Sequence, residues 1–572
     1  MSAKNFFMAG SSRRRESYEK GLAGEAGWRE ACVDRAHRFP VEPTRGFLSW
    51  AAAVRRLIAL CFVAGVLAGC GTLPANVGRS DTLALPQNPD SPLVRIARTS
   101  IPSEEQTGVR LLPLGAFSLD ARLQLAERAT RSLDVQYYVI ENDRTGRLLL
   151  TKLRDAALRG VRVRLLVDDL YTFHTDALLR GLASFPNVEV HLFNPFCCNR
   201  SSSVAGKYIA SIFDFGRLNH RMHNKMFIAD NAMAVIGGRN IADEYFLLSD
   251  EANFVDMDAF LMGAVISELS AIFDRYWNSE VVYPIDRIGE KLGDKLARQK
   301  AFDATMASLP MSPPDDPPGT DVLGYGPIAE ELETGQLGLH WGIAHAFADP
   351  PEKLLSKSPQ VAFETSVTNG VMMRVWQAKN ELVLTSPYMI PGPEGVASFR
   401  HLQKEQVKVT VMTNSLAATD EPLVHNGYAK YRPAMLEAGV DLYELSPTRA
   451  QKTKRLGAFG NSLGRLHAKQ AVIDRKLVFV GSMNLDPRSA SANTELGMFI
   501  DNPAIAKEML RVINISKLES AYRVRLDPKT KALQWLTIDG ETEVILGVEP
   551  ESSLWLRMHN MLMGWFVPEQ LL

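Results

Sequence analysis

Two stretches of the chain place the same chemistry-bearing residues in the same order. Residues 221–240 read RMHNKMFIADNAMAVIGGRN, and residues 465–484 read RLHAKQAVIDRKLVFVGSMN. His223, Lys225, Asp230, Gly237 and Asn240 recur 244 positions later as His467, Lys469, Asp474, Gly481 and Asn484. In each copy the histidine and lysine stand two apart in an apolar, strand-like run. Side chains two apart on an extended chain leave by the same face. Folded about a pseudo-twofold axis, the copies would bring two imidazoles, two ammonium groups and two amides to one point. That set suits an anionic tetrahedral centre. One histidine attacks phosphorus and the other protonates the leaving oxygen. The lysines, with Asn240 and Asn484, stabilise charge on the non-bridging oxygens. The lysines supply the positive charge, so this chemistry calls for no metal and no cofactor.

The aspartates have the opposite parity to the histidines. Each stands where the apolar run breaks, at Asp230-Asn231 and Asp474-Arg475, so each is predicted at a hairpin turn, bonding backbone. Gly237-Gly238 and Gly481-Ser482 then close the second strand of each hairpin. There a glycine lets backbone approach a ligand closely, which makes Gly237 and Ser482 candidates for phosphate contact.

The elements that position these residues repeat as well. SLDVQYYVI from Ser132 parallels ELVLTSPYMI from Glu381, and GVRVRLLVDD from Gly160 parallels QVKVTVMTNS from Gln406. NVEVHLFNPF from Asn187 parallels GVDLYELSPT from Gly439. Each block is a short Val/Ile/Leu-rich run, which predicts a buried strand. TGRLLLTKLRDAALRG has helical spacing and ends on Gly160, and HNGYAKYRPAMLEAG is helical too. Strands alternating with helices predict an α/β fold of two homologous halves with mixed, largely parallel sheets. The halves are placed at residues 107–290 and 355–525. Residues 291–354 form a connecting segment containing the proline-rich MSPPDDPPGTD. Residues 526–572 form a C-terminal segment.

The twice-occurring H-x-K-x-x-x-x-D, here HNKMFIAD and HAKQAVID, resembles the signature of the phospholipase D superfamily. The resemblance implies a phosphohistidine intermediate with His223 as nucleophile and His467 as general acid and base. Lys225, Lys469, Asp230 and Asp474 complete its motifs. It also implies an acidic residue orienting each histidine: Glu495 in NTELGMF, and Asp256 or Asp258 in FVDMDAF. The flanks DFGRLNHRMHNK, GGRNIADEYF, TNSLAATDEPLVHNGYAKYR and FVGSMNLDPRSASANTELG resemble the C-type bacterial cardiolipin synthases from about Pro113 to the carboxyl terminus. For those enzymes the substrates are phosphatidylethanolamine and phosphatidylglycerol, and a phosphatidyl group passes from the first to the second. A phospholipase D-type hydrolase, or less readily a nuclease, shares the same motifs.

The ends of the chain speak to location. Arg55 and Arg56 precede an apolar run from Leu57 to Ala68, too short to span a bilayer but right for a secretory signal. The run closes in Leu67-Ala68-Gly69-Cys70, which resembles a lipoprotein lipobox with Cys70 as the lipidated residue. Residues 54–69 are therefore read as a signal peptide, 70–106 as a linker, and 1–53 as disordered or untranslated, with a start at Val54. A bacterial envelope protein is expected, lipid-anchored and facing the periplasm, with Gly71 favouring the outer membrane. Residues 552–572 hold Leu554, Trp555, Met558, Met561, Leu562, Trp565 and Phe566 at helical spacing. That pattern fits either an interfacial helix or one docked on the core. TRAQKTKR from Thr448 is either a headgroup contact or a solvated loop. With 64 basic and 65 acidic residues, the chain lacks the excess positive charge of a nucleic-acid binder. Its five cysteines form neither a disulfide framework nor a zinc site.

Overall fold

The computed structural model describes residues 73, 74, 76, 80–564, 568 and 569, except 198–199, 201, 212–213, 289–292, 309–318, 357, 454, 456 and 458. The signal-like run, Cys70, Trp565 and Phe566 lie outside the described residues.

In the first half the strands are β1 (Thr107–Leu112), β2 (Ser132–Tyr137), β3 (Arg162–Asp168), β4 (Val188–Phe193), β5 (Met226–Ala229), β6 (Met233–Gly237), β7 (Ala252–Val255), β8 (Asp258–Gly263) and β9 (Val282–Pro284). The rest of the chain adds β10 (His340–Ala348), β11 (Glu381–Thr385), β12 (Lys408–Asn414), β13 (Asp441–Leu445), β14 (Leu463–Leu466), β15 (Gln470–Ile473), β16 (Leu477–Gly481), β17 (Leu496–Asp501), β18 (Ala521–Leu526), β19 (Leu533–Asp539) and β20 (Thr542–Leu546). Six of these strands coincide with the Val/Ile/Leu-rich blocks of the repeat.

Hydrogen bonding orders the first half as β9-β4-β3-β2-β5-β6-β8-β1. The second half repeats it as β18-β13-β12-β11-β15-β16-β17-β10. The sheets are mixed, but not largely parallel. Within them, parallel pairing is confined to β2-β3-β4 and β11-β12-β13. Those strands are linked by crossover helices such as Arg144–Leu158 and Gly392–Lys404. The remaining strands return through hairpins or along the opposite direction, which makes antiparallel pairs.

Three expected boundaries are corrected. The connecting segment contains β10, which pairs with β17 as β1 pairs with β8, so the second half begins near His340. The same strand pairs with β1 through His340, Trp341 and Gly342 and joins the two sheets. The supposed linker includes the helix Pro92–Ser100, which buries Leu93, Val94 and Ala97, and backbone at Thr82 and Ala84 bonds Asn278 and Asp274. The C-terminal segment extends the second sheet through β19 and β20. HNGYAKYRPAMLEAG forms two helices, Pro422–Ala429 and Arg432–Glu437, because Pro433 cannot donate back to continue the first.

Each half has its own apolar core under its flanking helices. A third core is shared, with Met222, Met226 and Ile236 from one half meeting Leu466, Ala468 and Val480 from the other. The equivalent helices Val265–Trp277 and Pro503–Glu519 both pack into it. This shared core brings the two repeated motifs together.

The basic stretch at Thr448 is tied to its own chain: Thr448 bonds Glu551, Arg449 pairs with Asp539 and Arg455 with Glu519. The C-terminal helix Leu554–Gly564 docks through Asn560, which bonds Asn426, and leaves Leu554, Trp555, Met558, Met561 and Leu562 exposed. Among the described residues no helix is long and apolar enough to cross a membrane.

Candidate active site

The two His-x-Lys triplets stand just before β5 and β15 rather than inside a strand. There each stretch is bonded to the opposite half. The His223 backbone N–H donates to Thr494 O at 2.8 Å, and Thr494 N–H donates to Arg221 O at 2.9 Å. The second copy is arranged the same way. β14 pairs in parallel with β7, and the His467 N–H donates to Val255 O at 2.8 Å.

These bridges end on carboxylates. Glu495, immediately after Thr494, places Oε2 2.9 Å from His223 Nδ1. Asp256, immediately after Val255, places Oδ2 2.6 Å from His467 Nδ1. Each histidine is thus oriented by the acid of the other half. An ionised carboxylate only accepts, so each Nδ1 carries the proton and each Nε2 presents its lone pair. Asp258, the alternative to Asp256, points elsewhere: it accepts from Ser118 at 2.5 Å and pairs with Arg122 at 3.0 Å.

The acids are held differently. Glu495 accepts from Ser482 Oγ at 2.5 Å and from Ser489 Oγ at 2.7 Å. At the position equivalent to Ser482, Asp256 lies over Gly238, where a Cβ would fall 2.2 Å from its Oδ1. The shorter acid therefore needs a glycine beneath it, and the longer one meets a serine hydroxyl. Tyr138 packs edge-on against the His223 ring at 5.1 Å, as Tyr245 does against His467.

Lys225 Nζ donates to His223 O, and Lys469 Nζ to His467 O, each at 2.5 Å. Burial drives both lysines down, Lys225 to about 7 and Lys469 to about 8, and the charge of Lys469 further lowers Lys225. Burial also lowers His223 to about 4, with the charges of Lys225 and Lys469 adding to the effect. His467 is lowered by burial and by Lys469. Burial opposes ionisation of Glu495, but His223 and Lys225 outweigh it and hold Glu495 below its ordinary value. Burial thus disfavours the charged form of all four basic groups, although the carboxylates of Glu495 and Asp256 act on the lysines in the opposite sense. An entering phosphodiester anion adds negative charge that favours the protonated lysines.

Four expected site residues have other work. Asp230 accepts from the N–H groups of Thr130, Arg131 and Ser132, and Asp474 from those of Lys379, Asn380 and Glu381. Each is a hairpin residue with positive φ that ties its turn to the start of β2 or β11. Gly237 is required by β8 rather than by a ligand, since a Cβ there would fall 2.1 Å from Asp258 Oδ1. The Ser482 hydroxyl is committed to Glu495. Of the two asparagines, Asn240 donates to the Tyr245 hydroxyl at 2.9 Å. The Asn484 Oδ1 is buried without a hydrogen-bond partner among the described residues.

Ser489, Tyr138 and Tyr245 were not anticipated. Aligning VDMDAF on TELGMF sets Asp256 opposite Glu495 and Asp258 opposite Gly497, and that register carries the choice of Asp256.

The family model described as "Cardiolipin synthase, PLD-like domain" matches residues 123–277 and 372–515, the parts that carry both triplets and both acids. The chain belongs to this phospholipase D-like cardiolipin synthase family. A cardiolipin synthase C of Escherichia coli is 38% identical over 450 residues, covering 78% of this chain and 91% of that protein. An uncharacterised Helicobacter pylori protein is 30% identical over 459 residues, covering 78% and 86%. A crystal structure of phosphatidylserine synthase from Haemophilus influenzae superposes with a TM-score of 0.51 at 12% identity, covering 84% of this chain and all of that one. This last likeness concerns the fold alone. The His-x-Lys motif occurs once in each half of this chain. Here the halves exchange carboxylates to complete it.

Proposed function

We propose that the protein is a phosphatidyltransferase that forms cardiolipin, taking a phosphatidyl group from phosphatidylethanolamine and passing it to phosphatidylglycerol. The observation that carries this reading is the pair of neutral histidines, each fixed by the opposite half's carboxylate, set among two buried lysines. In the first step His223 Nε2 attacks phosphorus and the bond to the headgroup oxygen breaks. His467 delivers the proton that releases ethanolamine. His467 takes up that proton from solvent when the lipid binds, because the phosphodiester's negative charge offsets Lys469 and Asp256 supports the imidazolium. In the second step a hydroxyl of phosphatidylglycerol attacks the phosphohistidine. His467 takes its proton, the phosphorus–nitrogen bond breaks and cardiolipin leaves.

The exposed apolar side chains of the Leu554–Gly564 helix support work at a lipid surface. We further propose that the protein is anchored to the bacterial envelope through Cys70, facing the periplasm. The lipobox-like sequence supports this, and mass spectrometry of the native amino terminus tests it. An intact peptide spanning Met1 to Arg45 would rule it out.

The activity is tested with purified protein, phosphatidylglycerol and headgroup-labelled phosphatidylethanolamine in mixed micelles. Cardiolipin and free ethanolamine are expected together. Phosphatidic acid without cardiolipin would make the protein a hydrolase and overturn the transferase reading.

A further inference from the structure

A cavity of about 470 Å³ opens in the second half, walled in part by Leu485 and Asp486, which follow Asn484, and its size is within the roughly 300–1,000 Å³ of ligand pockets. Much of its wall is apolar, with Met372, Trp376, Leu384, Met389, Phe399 and Leu485 among its lining residues. Leu384, Met389 and Phe399 are buried core residues, at 2%, 1% and 1% exposure, and form part of the second-half core. Phe363 and Met373 also line it and are exposed at 37% and 59%, which gives the opening an apolar lip.

The cavity is wired to the reacting histidine. Leu485 follows Asn484 directly, and Ile390 N–H donates to Leu485 O at 2.7 Å. Asp486, one of the polar residues of the wall, accepts from Ser489 N–H at 2.7 Å. Ser489 Oγ donates to Glu495, and Glu495 holds His223. Only a serine and a carboxylate therefore separate the cavity wall from the nucleophile.

We propose that this cavity receives a fatty acyl chain of the phospholipid whose phosphate lies between the two histidines. The inference rests on the transferase reading above and names the part of the substrate that the charged site leaves out. A phosphodiester bound at His223 and His467 has its polar group satisfied by lysines, and its chains must leave through apolar surroundings. The apolar part of the lining includes Leu485, next to Asn484, and the exposed lip at Phe363 and Met373. A thioether-rich wall adapts to chains of differing shape. Each methylene moved out of water contributes about 0.8 kcal/mol, so a chain held here adds affinity that a short-chain lipid cannot gain.

The test fills the cavity without touching the charged groups. Met372→Trp and Ser398→Phe, each placing an aromatic ring into it, are compared with wild type on dioleoyl- and on water-soluble dihexanoyl-phosphatidylethanolamine as donor, with the same phosphatidylglycerol acceptor. Both variants are expected to lower kcat/KM for the dioleoyl lipid by a factor of about five or more and to leave the dihexanoyl lipid nearly unchanged. Met372→Leu should behave as wild type with both. Equal losses with both lipids, or no loss with either, overturn the proposal.

A second measurement does not depend on turnover. Phosphatidylethanolamine carrying a diazirine at its acyl terminus is photolysed on the full-length protein. Label is expected on peptides from residues 363–376 and 389–399, and reduced in Ser398→Phe. Label confined to other surfaces also overturns the proposal. A wild-type enzyme that converts neither lipid but labels at these peptides would refute the transferase reading and leave the acyl site standing.

Discussion

Glu495 Oε2 stands 2.9 Å from Nδ1 of His223, and the two residues belong to different halves of the molecule. Its mirror is Asp256 with His467, at 2.6 Å. Neither half can orient its own histidine, so the active site exists only when both are docked. This relationship makes the account testable from several directions.

Removing the negative charge of either acid should cost rate more than affinity. Glu495→Gln retains the shape but can donate to Nδ1, which turns the imidazole to the wrong tautomer. A fall in kcat of roughly 10²–10⁴-fold with little change in KM is expected. Steady-state kinetics on a folded variant checks this. A loss confined to KM would place Glu495 in substrate binding instead.

The motif aspartates should behave oppositely. Asp230 is buried and receives three backbone N–H groups as well as the Ser91 hydroxyl. Asp230→Ala is expected to lower stability by about 2–4 kcal/mol, read by denaturant unfolding, with much smaller change in kcat for the protein that remains folded. Asp474, at a more exposed turn, should cost less. Loss of turnover at unchanged stability would return these residues to the catalytic set.

The different supports of the two acids predict a coupled pair of substitutions. Gly238→Ser puts a side chain where Asp256 now lies, so activity should fall at least tenfold, about 1.4 kcal/mol in the barrier. Adding Asp256→Glu copies the Ser482–Glu495 arrangement and should recover part of the loss. An additive double variant would show that the two supports are not interchangeable.

The pH profile follows from burial. His223 is neutral above about 4, while Lys225 and Lys469 are cationic only below about 7 and 8. In the free enzyme kcat/KM should rise through the first value and fall as pH climbs first through the lowered value of the acid His467 and then through those of the two lysines. At pH 8 the site should take up protons when an unreactive phosphodiester analogue binds, because the anion restores charge to the lysines. Calorimetry in buffers of different ionisation enthalpy measures that uptake. Proton release on binding would contradict the assignment.

Much of this was legible in the sequence because the repeat is strict where the chemistry is strict. The triplets, the turn positions of Asp230 and Asp474 and the six core strands all follow from local pattern, whereas Glu495 followed from the family resemblance. The crossing did not follow: a local pattern sets which face a side chain takes, not which half it meets. That was decided by backbone bonds from His223 to Thr494 and from His467 to Val255, between residues more than two hundred positions apart. β10 was missed for a related reason. It lies in a stretch without a long Val/Ile/Leu run, and its place is fixed by two partner strands rather than by its own composition. Gly237 looked like a ligand approach because a strand glycine signals close backbone contact. The contact is real, but its partner is Asp258.

The central claim is that His223 is the nucleophile and that His467 serves it from the other half. The most direct measurement is intact-protein and peptide mass spectrometry of the wild-type protein, quenched in alkaline denaturant after brief incubation with phosphatidylethanolamine and no acceptor lipid. The account predicts a phosphatidyl adduct on the peptide containing His223, absent from His223→Ala. An adduct on another residue, or full turnover by His223→Ala alone, would contradict it.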